Sequence, residues 1–416
     1  MPVVPRGSGA GQGGKGMSLK SSPSSPPGCT EAGPARQSES STPSRTVVLC
    51  HKIRLRPNAA QEEILRKACG TARFAWNWAL AEWRRQYQAG EKPNEGRLRK
   101  QLNAIKDGMF PWMREVPKTV IQQAVKNLGR AFAGFFAKRS RYPRFKKKGR
   151  GRDSARFDNG PGTFRFSGKR IRLPVVGTIR MREELRFAGR PLSATVSCVA
   201  GKWFVSVAVE TMQPYRENQA ESVGVDLGVT TAAMLSTGEK LNAPKPLRTL
   251  LRKLRRLSKR HSRKQKGGAN RRKSAVKLAR LHYRIACQRQ DWLHKTTTGL
   301  VRRFGRISIE DLNVRGMMAN DKLSRAISDV GFFEFRRQLA YKADLRGVCL
   351  HVVDRFFPSS KACSTCGAVK DSLPLSERVF ACDCGLVLDR DVNAAINLRQ
   401  ALPEVKPVER QALAIA

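Results

Sequence analysis

Residues 223–229, Val-Gly-Val-Asp-Leu-Gly-Val, decide the fold of this 416-residue chain. Apolar residues run into an aspartate and a glycine follows it, which is typical of a buried strand that ends at a carboxylate. Farther along, Arg306–Glu310 is a second short apolar run that ends in an acid. A third acid, Asp391, stands at the predicted start of a helix. We therefore predict that Asp226, Glu310 and Asp391 meet at one site.

Three carboxylates from separate elements are a suitable ligand set for divalent cations, because Mg²⁺ prefers oxygen ligands. Two such ions about 4 Å apart can stabilise both the attacking and the leaving oxygen when a phosphodiester is hydrolysed. Each acid alone is weak evidence, because an aspartate at a strand end is more often a cap or a turn residue. Their order in a strongly basic chain favours a two-metal nuclease site.

Three neighbouring acids are weaker candidates for the same site. Asp311 follows the second strand by one residue and should point away, because side chains alternate along a strand. Asp389 precedes the predicted helix and is a candidate cap for it. Asp354, at the end of a predicted strand, is a less favoured fourth member.

The charge of the chain points to a polyanionic partner. There are 80 Lys and Arg residues against 33 Asp and Glu, a net charge of +47. So large an excess repels itself unless a polyanion neutralises it, which favours nucleic acid over a merely solvated surface. A membrane surface is the weaker alternative, since no long basic amphipathic helix is paired with an exposed apolar face. No apolar window reaches the roughly 18 residues of a membrane span, and an export signal is not evident.

Four of the ten cysteines form a cluster, whereas the other six are scattered. Cys363-x-x-Cys366-Gly is a typical zinc knuckle, and Cys382-x-Cys384-Gly is similar but one residue shorter. The pattern predicts a structural zinc site with four cysteine ligands beside the cleft; a relic site that no longer binds metal is the alternative. A cluster without an export signal indicates a reducing compartment, hence a cytoplasmic protein, nucleoid-associated in a prokaryote.

Several basic or amide-bearing segments are candidates for nucleic-acid contact. In the predicted helix 70–87 we expect the aromatic residues to be core and the arginines to contact phosphates. In the predicted helix 119–139, glutamine and asparagine either read base edges or form a solvated face. Residues 251–280 carry fourteen Lys or Arg and no acid, which predicts an exposed basic helical hairpin broken at 267–268. The candidate contacts are Arg73, Asn77, Gln123, Asn127, Arg141, Lys146, Lys147, Arg255, Arg256, Lys264, Arg271 and Arg272.

The remaining pattern predicts a β-rich first part and an α/β second part. In the first part a strand at 45–56 precedes a short helix capped by Asn58 and the separate helix 70–87. Short strands then follow at 163–166, 170–173, 176–181, 194–199 and 203–209, which together suggest a small antiparallel barrel interrupted by the helices. In the second part, after a linker at 213–220, we expect strands at 222–229 and 231–236 joined near Gly238. Further strands are expected at 306–310 and 348–354, with a helix at 329–345 capped by Ser328.

These residues together resemble the TnpB (OrfB) family, the RNA-guided nucleases of insertion sequences that are related to type V CRISPR effectors. The resemblance covers about residues 45–400. It rests on Gly224-Val-Asp-Leu-Gly, Ile309-Glu-Asp-Leu, Phe357-Pro-Ser-Ser with Cys363-x-x-Cys-Gly, and Asp389-Arg-Asp-Val-Asn-Ala-Ala. It implies an RNA-guided DNA endonuclease associated with a transposable element, with two Mg²⁺ ions at Asp226, Glu310 and Asp391. The implied partners are a guide RNA, double-stranded DNA and its displaced single strand, and no membrane. The chain departs from the family at Cys382-x-Cys384, where two intervening residues are usual.

The resemblance also implies a multidomain α+β fold. It comprises an RNase-H-like (RuvC) α/β nuclease domain, an N-terminal β-barrel wedge interrupted by a helical recognition domain, and a small four-cysteine zinc-ribbon insert. The expected boundaries are a disordered tail at 1–44, the wedge at 45–57 and 140–212, the helical domain at 58–139, the nuclease domain at 221–360 and 387–403, the zinc ribbon at 361–386 and a tail at 404–416.

Three other functions compete with the nuclease. The main alternative is an RNA-guided DNA-binding regulator that does not cleave, although all three acids are present. A junction resolvase on the same fold would normally lack the N-terminal helical domain. A zinc-ribbon DNA-binding protein without activity would leave the acids unexplained.

Overall fold

A computed structural model of the protein describes residues 44–149, 153–160, 162–214, 221–374 and 376–403. The predicted tails therefore lie outside the described residues, apart from Ser44. Most of the expected linker at 213–220 also lies outside them. No helix in the described ranges is both long and apolar enough to cross a membrane.

Three helices follow the first strand, β1 (Ser44–Arg56). They are α1 (Ala59–Gln88), α2 (Glu95–Met109) and α3 (Lys118–Phe136). Asn58 caps α1 as predicted, since its side-chain oxygen accepts the Gln61 N–H at 2.8 Å and its own N–H donates to Gln61 Oε1 at 3.1 Å. The prediction of two separate helices here is wrong. Helix α1 continues through Gly70, where a Cβ atom would meet only the end of the Arg73 side chain at 3.9 Å, so packing does not require a break.

The strands of the first part form one antiparallel sheet. They are β2 (Asp153–Asp158), β3 (Arg165–Ser167), β4 (Arg170–Leu173), β5 (Gly177–Met181), β6 (Arg190–Val199) and β7 (Lys202–Pro214), and the order is β2-β6-β7-β1-β5-β4-β3. Strands β2 and β3 remain edges in the described pairings, so the sheet is open and the predicted barrel closure is not observed. The sequence pattern also missed β2 and α2.

The helices and this sheet share one hydrophobic core. Leu65, Trp83, Phe132, Phe157 and Val205 are among its buried members. The rings of Trp83 and Phe132 stack with centroids 4.0 Å apart and an interplanar angle of 8°. The preference for a core role is thus confirmed for this tryptophan, and the helices α1 and α3 are packed against the sheet.

The second part contains a five-stranded mixed sheet. Its elements begin with β8 (Ser222–Asp226), β9 (Ala233–Leu235), β10 (Lys240–Leu241), α4 (Pro246–Ser262), α5 (Ala269–Arg303) and β11 (Arg306–Glu310). They continue with α6 (Val314–Ala319), α7 (Ser324–Val330), α8 (Phe332–Arg346), β12 (Cys349–Val353), β13 (Val379–Ala381), β14 (Val387–Asp389) and α9 (Arg390–Gln400). The sheet order is β10-β9-β8-β11-β12, in which β8, β11 and β12 are parallel and β9 is antiparallel to β8.

Two local predictions in this part are wrong. The turn at Gly238 joins β9 to β10 and does not join β8 to β9. The predicted helix 329–345 is two helices, because Gly331 adopts a left-handed φ of 80° between α7 and α8. Ser328 consequently lies inside α7 and caps neither helix. The basic helical hairpin, by contrast, is confirmed as α4 and α5, with the break at Gly267 and Gly268.

Helix α9 lies directly on strand β8 at Gly224. A Cβ atom at this position would stand 1.9 Å from the carbonyl oxygen of Ala395 and 2.5 Å from the backbone nitrogen of Arg399. Only a residue without a side chain permits this approach of two backbones. The first turn of α9 is thereby held over the end of β8.

We expect the substitution Gly224→Val to destabilise the protein by more than about 3 kcal/mol, because the helix would have to move off the strand. Thermal or urea unfolding of the purified protein measures this. Gly299→Ala is the matched control: Gly299 lies within α5 with open space around it, so alanine there should stabilise by about 0.5–1 kcal/mol. Equal stability of Gly224→Val and the wild type would contradict the packing of α9 on β8.

Candidate active site

The ends of two parallel strands and the start of one helix bring three acids to a single cavity. Val225 on β8 lies opposite Ile309 on β11, so the residues that follow them, Asp226 and Glu310, emerge at the same edge of the sheet. Asp391 comes from the first turn of α9 above β8. All three acids line a cavity of about 730 Å³, which we call the acid cavity.

The acid cavity is unfavourable for ionised carboxylates. Burial, with further contributions from Asp391 and Glu310, raises the pKa of Asp226 to about 7. Burial, followed by the nearby charge of Asp311, also raises the pKa of Glu310. A bound cation would relieve this repulsion and return the acids to their charged form.

Basic side chains surround the three acids. Arg355, Lys361, Lys370, Arg378 and Arg390 line the same cavity. The Arg378 guanidinium is 3.9 Å from Asp391 Oδ1. These five residues were not predicted from the sequence, although most of them flank the motifs that hold the acids and the cysteines. The site therefore combines a negative centre with a positive rim, which suits the phosphates of a polynucleotide on either side of a metal centre.

The neighbouring acids have other partners. Asp311 accepts hydrogen bonds from Arg336 and from Arg355, the latter at 2.6 Å. Asp389 caps α9 as predicted, accepting the backbone N–H of Asp391 at 2.9 Å. It also pairs with Lys240 at 3.0 Å.

The weakest of the three neighbours, Asp354, closes a turn. Its side chain accepts the backbone N–H of Phe356 at 2.8 Å. It does not line the acid cavity in the described part of the chain. Asp226, Glu310 and Asp391 thus remain the set that the geometry gathers.

Four thiols lie together beside this cavity. The Sγ atoms of Cys363 and Cys384 are 3.6 Å apart, as are those of Cys366 and Cys382, and all four lie within 4.8 Å of one another. Tetrahedral zinc with Zn–S bonds of about 2.3 Å places its sulfurs roughly 3.8 Å apart. The shorter Cys-x-Cys half therefore still gives a spacing that could hold zinc.

Helix α9 fixes the segment that carries the four cysteines, residues 363–384, which we call the cysteine lobe, beside the acid cavity. The Asn393 side chain donates to the Ala362 carbonyl at 2.7 Å and accepts the Ser364 N–H at 3.0 Å. One turn later, Asn397 donates to the carbonyls of Ser359 and Ala362, both at 2.7 Å. The same helix thus carries Asp391 at its start and holds the first knuckle along its side.

Some predicted nucleic-acid contacts have partners within the protein. Arg73 pairs with Asp153 at 2.6 Å. Asn77 exchanges two hydrogen bonds with the backbone of Lys146. Gln123 is only 3% exposed and donates to Asp158. Arg271 donates to two carbonyls at the end of α4 and to one in the loop that follows, those of His261, Ser262 and Lys264.

The other predicted contacts fall into two groups. Together with Arg73 and Gln123, the residues Asn127, Lys146 and Lys147 line a cavity of about 320 Å³ between helices and sheet. The exposed group is Arg141, Arg255, Arg256 and Arg272, while Lys264 is half-buried. Their contact with nucleic acid stays a prediction.

Comparison with known proteins identifies relatives that match most of this chain. Family models match three segments: one described as "Probable transposase" at 204–321, one as "Cas12f1-like, TNB domain" at 332–398, and one as "Helix-turn-helix domain" at 49–92. In this chain 49–92 consists of the end of β1 and the long helix α1.

Two curated relatives cover most of the chain. A "Putative RNA-guided DNA endonuclease" of Streptomyces pristinaespiralis is 41% identical over 360 residues, which are 84% of this chain and 88% of the relative. InsQ of Escherichia coli K12, with the same description, is 35% identical over 84% of this chain and 91% of its own length.

A solved structure shares the fold. A chain in the "Cryo-EM structure of the Cas12f1-sgRNA-target DNA complex" matches with a TM-score of 0.52 at 11% identity, covering 85% of this chain and 99% of that one. The chain therefore has an α+β fold similar to that of the Cas12f1 chain in this complex. With relatives of 41% and 35% identity over 84% of its length, the chain belongs to the TnpB (OrfB) family of RNA-guided DNA endonucleases. The resemblance seen in the motifs is confirmed.

We expect Asp226→Asn to stabilise the metal-free protein at high pH. The pKa of Asp226 is raised in the folded state from 3.8 to about 7, so the wild type loses stability as pH rises through this range, while asparagine does not titrate. The difference in unfolding free energy should be near zero at about pH 4 and reach roughly 2–4 kcal/mol by pH 8. Chemical unfolding at a series of pH values in EDTA measures it.

Asp311→Asn is the control with the opposite sign. Arg355, and then Arg336, lower the pKa of Asp311, so its removal should destabilise the protein at neutral pH and have less effect as pH falls. If Asp226→Asn and the wild type were equally stable at every pH, the three acids would not share one desolvated site.

Proposed function

We propose that this protein is a Mg²⁺-dependent DNA endonuclease guided by RNA, and that Asp226, Glu310 and Asp391 hold its catalytic cations. The single observation that carries the proposal is the convergence of these three acids on one cavity, at the ends of two parallel strands and of α9. The sheet β10-β9-β8-β11-β12 with α9 across it is the arrangement expected of an RNase-H-like, RuvC-type domain.

The donor set fits Mg²⁺. All three donors are carboxylates, which this ion prefers. Burial, and then the neighbouring Asp391 and Glu310, raise the pKa of Asp226, and a bound cation would favour its charged form. When bound there, two ions would stabilise the attacking and leaving oxygens of a phosphodiester and favour hydroxide over water as the nucleophile.

The protein's own residues would position the substrate. Arg355 is held in place by Asp311 at 2.6 Å, and Lys361, Lys370 and Arg378 stand on the other walls of the cavity. These cations would bind phosphates next to the scissile bond and orient the strand. The β-strands and the helix start that carry the carboxylates are stiff, so the carboxylates need little rearrangement when the DNA strand binds.

The rest of the chain would hold the guide and the target. A net charge of +47 suits a guide RNA paired with its DNA target, and the displaced DNA strand is the substrate that would reach the acid cavity. The related solved complex contains an sgRNA and target DNA. We infer that the sheet β1–β7 serves as the wedge and helices α1–α3 as the recognition domain, and that the protein acts in the cytoplasm.

The cysteine cluster would hold one structural zinc ion. A closed set of four thiolates leaves no open position for substrate. Its role would be to stiffen the lobe that α9 carries beside the acid cavity, through the Asn393 and Asn397 contacts to residues 359–364.

We expect Asp226→Ala to abolish cleavage of a target duplex while RNA-dependent binding of that duplex stays within about twofold of wild type, because the metal is lost and the guide pairing is not. Purified complex, Mg²⁺ and a labelled duplex suffice for the measurement. Asp291→Ala removes an exposed acid on α5 and should cut normally. Cleavage that survives Asp226→Ala, or a wild type that binds but never cuts, would instead favour a non-cleaving regulator.

One zinc ion per chain should be found in protein purified without chelators, by elemental analysis. Cys384→Ser should reduce this content and lower the melting temperature, because metal binding contributes to folding. Cys349→Ser alters an exposed cysteine outside the cluster and should change neither. Wild-type protein free of zinc would indicate a relic site.

A further inference from the structure

A second cavity, of about 420 Å³, adjoins the acid cavity along the β8–β9 connection. Leu227 and Gly228 of this connection line the acid cavity. The next two residues, Val229 and Thr230, line the second cavity. A polynucleotide strand passing over this short connection would therefore reach both.

The walls of the second cavity are held rigidly. Asp329 of α7, 3% exposed, accepts the backbone N–H groups of Leu247 and Arg248 at the start of α4, both at 2.9 Å. It also accepts from Arg289 of α5 at 3.2 Å. Its carboxylate is thus saturated, and it ties α4, α5 and α7 together. Lys245, just before α4, donates to the Thr230 carbonyl at 2.9 Å and so ties the start of α4 to the β8–β9 connection.

The charge inside the second cavity is unbalanced. Its lining includes Lys245, Arg248, Lys322 and Arg325, against the single acid Asp329. The side chains of Arg248, Lys322 and Arg325 have no hydrogen-bond or ion-pair partner among the residues that the structure describes. Three cationic side chains that are not paired within the described residues therefore line the second cavity, where they could bind an anion.

The floor of the same cavity is apolar. Val229, Leu247, Leu251 and Ala326 contribute to it. An apolar floor with cations around its mouth is complementary to a flat base that carries a phosphate, because aliphatic side chains pack against a base face and guanidinium groups bind phosphate oxygens.

We propose that the second cavity binds one nucleotide of the DNA strand being cleaved, adjacent to the scissile phosphate, with the base on the apolar floor and the phosphate at Arg248, Lys322 and Arg325. The inference rests on the proposed nuclease function, since it is the neighbouring acid cavity that makes this strand the ligand. In this proposal, α7 and the start of α4 help to position single-stranded DNA across Asp226, Glu310 and Asp391. The guide RNA offers the same chemistry and is the competing source of the nucleotide.

The test uses the complex purified with its own RNA and the double variant Lys322→Gln/Arg325→Gln, in which both altered side chains are exposed. We expect KM for cleavage of a labelled DNA target to rise about 10-fold or more, because charge-assisted contacts are lost, while kcat changes little. Arg302→Gln, an exposed arginine at the end of α5, is the matched control and should leave KM unchanged.

Abasic substitutions scanned along the displaced DNA strand, the strand that we propose enters the acid cavity, provide the position-specific readout. In the wild type, one abasic position beside the cleavage point should weaken cleavage, and in the double variant this sensitivity should disappear. The same scan can be read as the affinity of the Asp226→Ala variant for each abasic DNA, which requires no hydrolysis. A chain that binds but never cuts would therefore contradict the nuclease proposal while still reporting on the second cavity. Loss of guide-RNA affinity in the double variant, or no sensitive abasic position in wild type, would overturn the DNA-nucleotide assignment.

Discussion

The structure of the second part depends on one close approach of two backbones, that of helix α9 to strand β8 at Gly224. A Cβ atom there would overlap the Ala395 carbonyl at 1.9 Å, so the absence of a side chain sets the height of the helix over the sheet. This packing distance places Asp391 at the same edge of the sheet as Asp226, at the end of β8, and Glu310, at the end of β11. The side of the same helix holds the cysteine lobe through Asn393 and Asn397. One packing contact therefore fixes both candidate metal centres relative to the sheet.

The charge gathered at the acid cavity is opposite in sign to the net charge of the chain. The chain as a whole carries +47, yet three acids are gathered at one point and desolvated enough to raise the pKa of Asp226 to about 7. Such an arrangement is costly for the protein alone and favourable once cations occupy the acids and a polyanion covers the surrounding surface.

The convergence of the three acids on one cavity could be predicted from the sequence, because Asp226 and Glu310 end short, strongly patterned strands and Asp391 starts a helix. Strand β11 and the capping of α9 by Asp389 follow directly from local residues. The errors arose where tertiary packing decides: α1 continues through Gly70 because packing leaves room there, and the helix expected at 329–345 divides because Gly331 takes a left-handed conformation. The open sheet β1–β7 likewise depends on pairing between distant strands, which local pattern cannot specify.

The basic surroundings were harder to predict than the acids. Arg355, Lys361 and Arg378 resemble any other basic residue in a chain that has 80 of them, and only the folded structure identifies those that line the acid cavity. In the same way, Gln123 sits on a helix face that pattern alone leaves ambiguous, and it proves to be buried against Asp158. The composition of the chain indicates that its ligand is a polyanion, whereas the folded structure is needed to identify which basic residues lie at the acid cavity.

We propose that Asp226, Glu310 and Asp391 share bound divalent cations. The most direct measurement is anomalous diffraction from crystals of the protein grown with Mn²⁺, an ion that accepts the same oxygen ligands as Mg²⁺. We expect anomalous density between these three carboxylates, and its loss in crystals of Asp226→Ala. Manganese bound elsewhere, with the three carboxylates unoccupied at a saturating concentration, would contradict it.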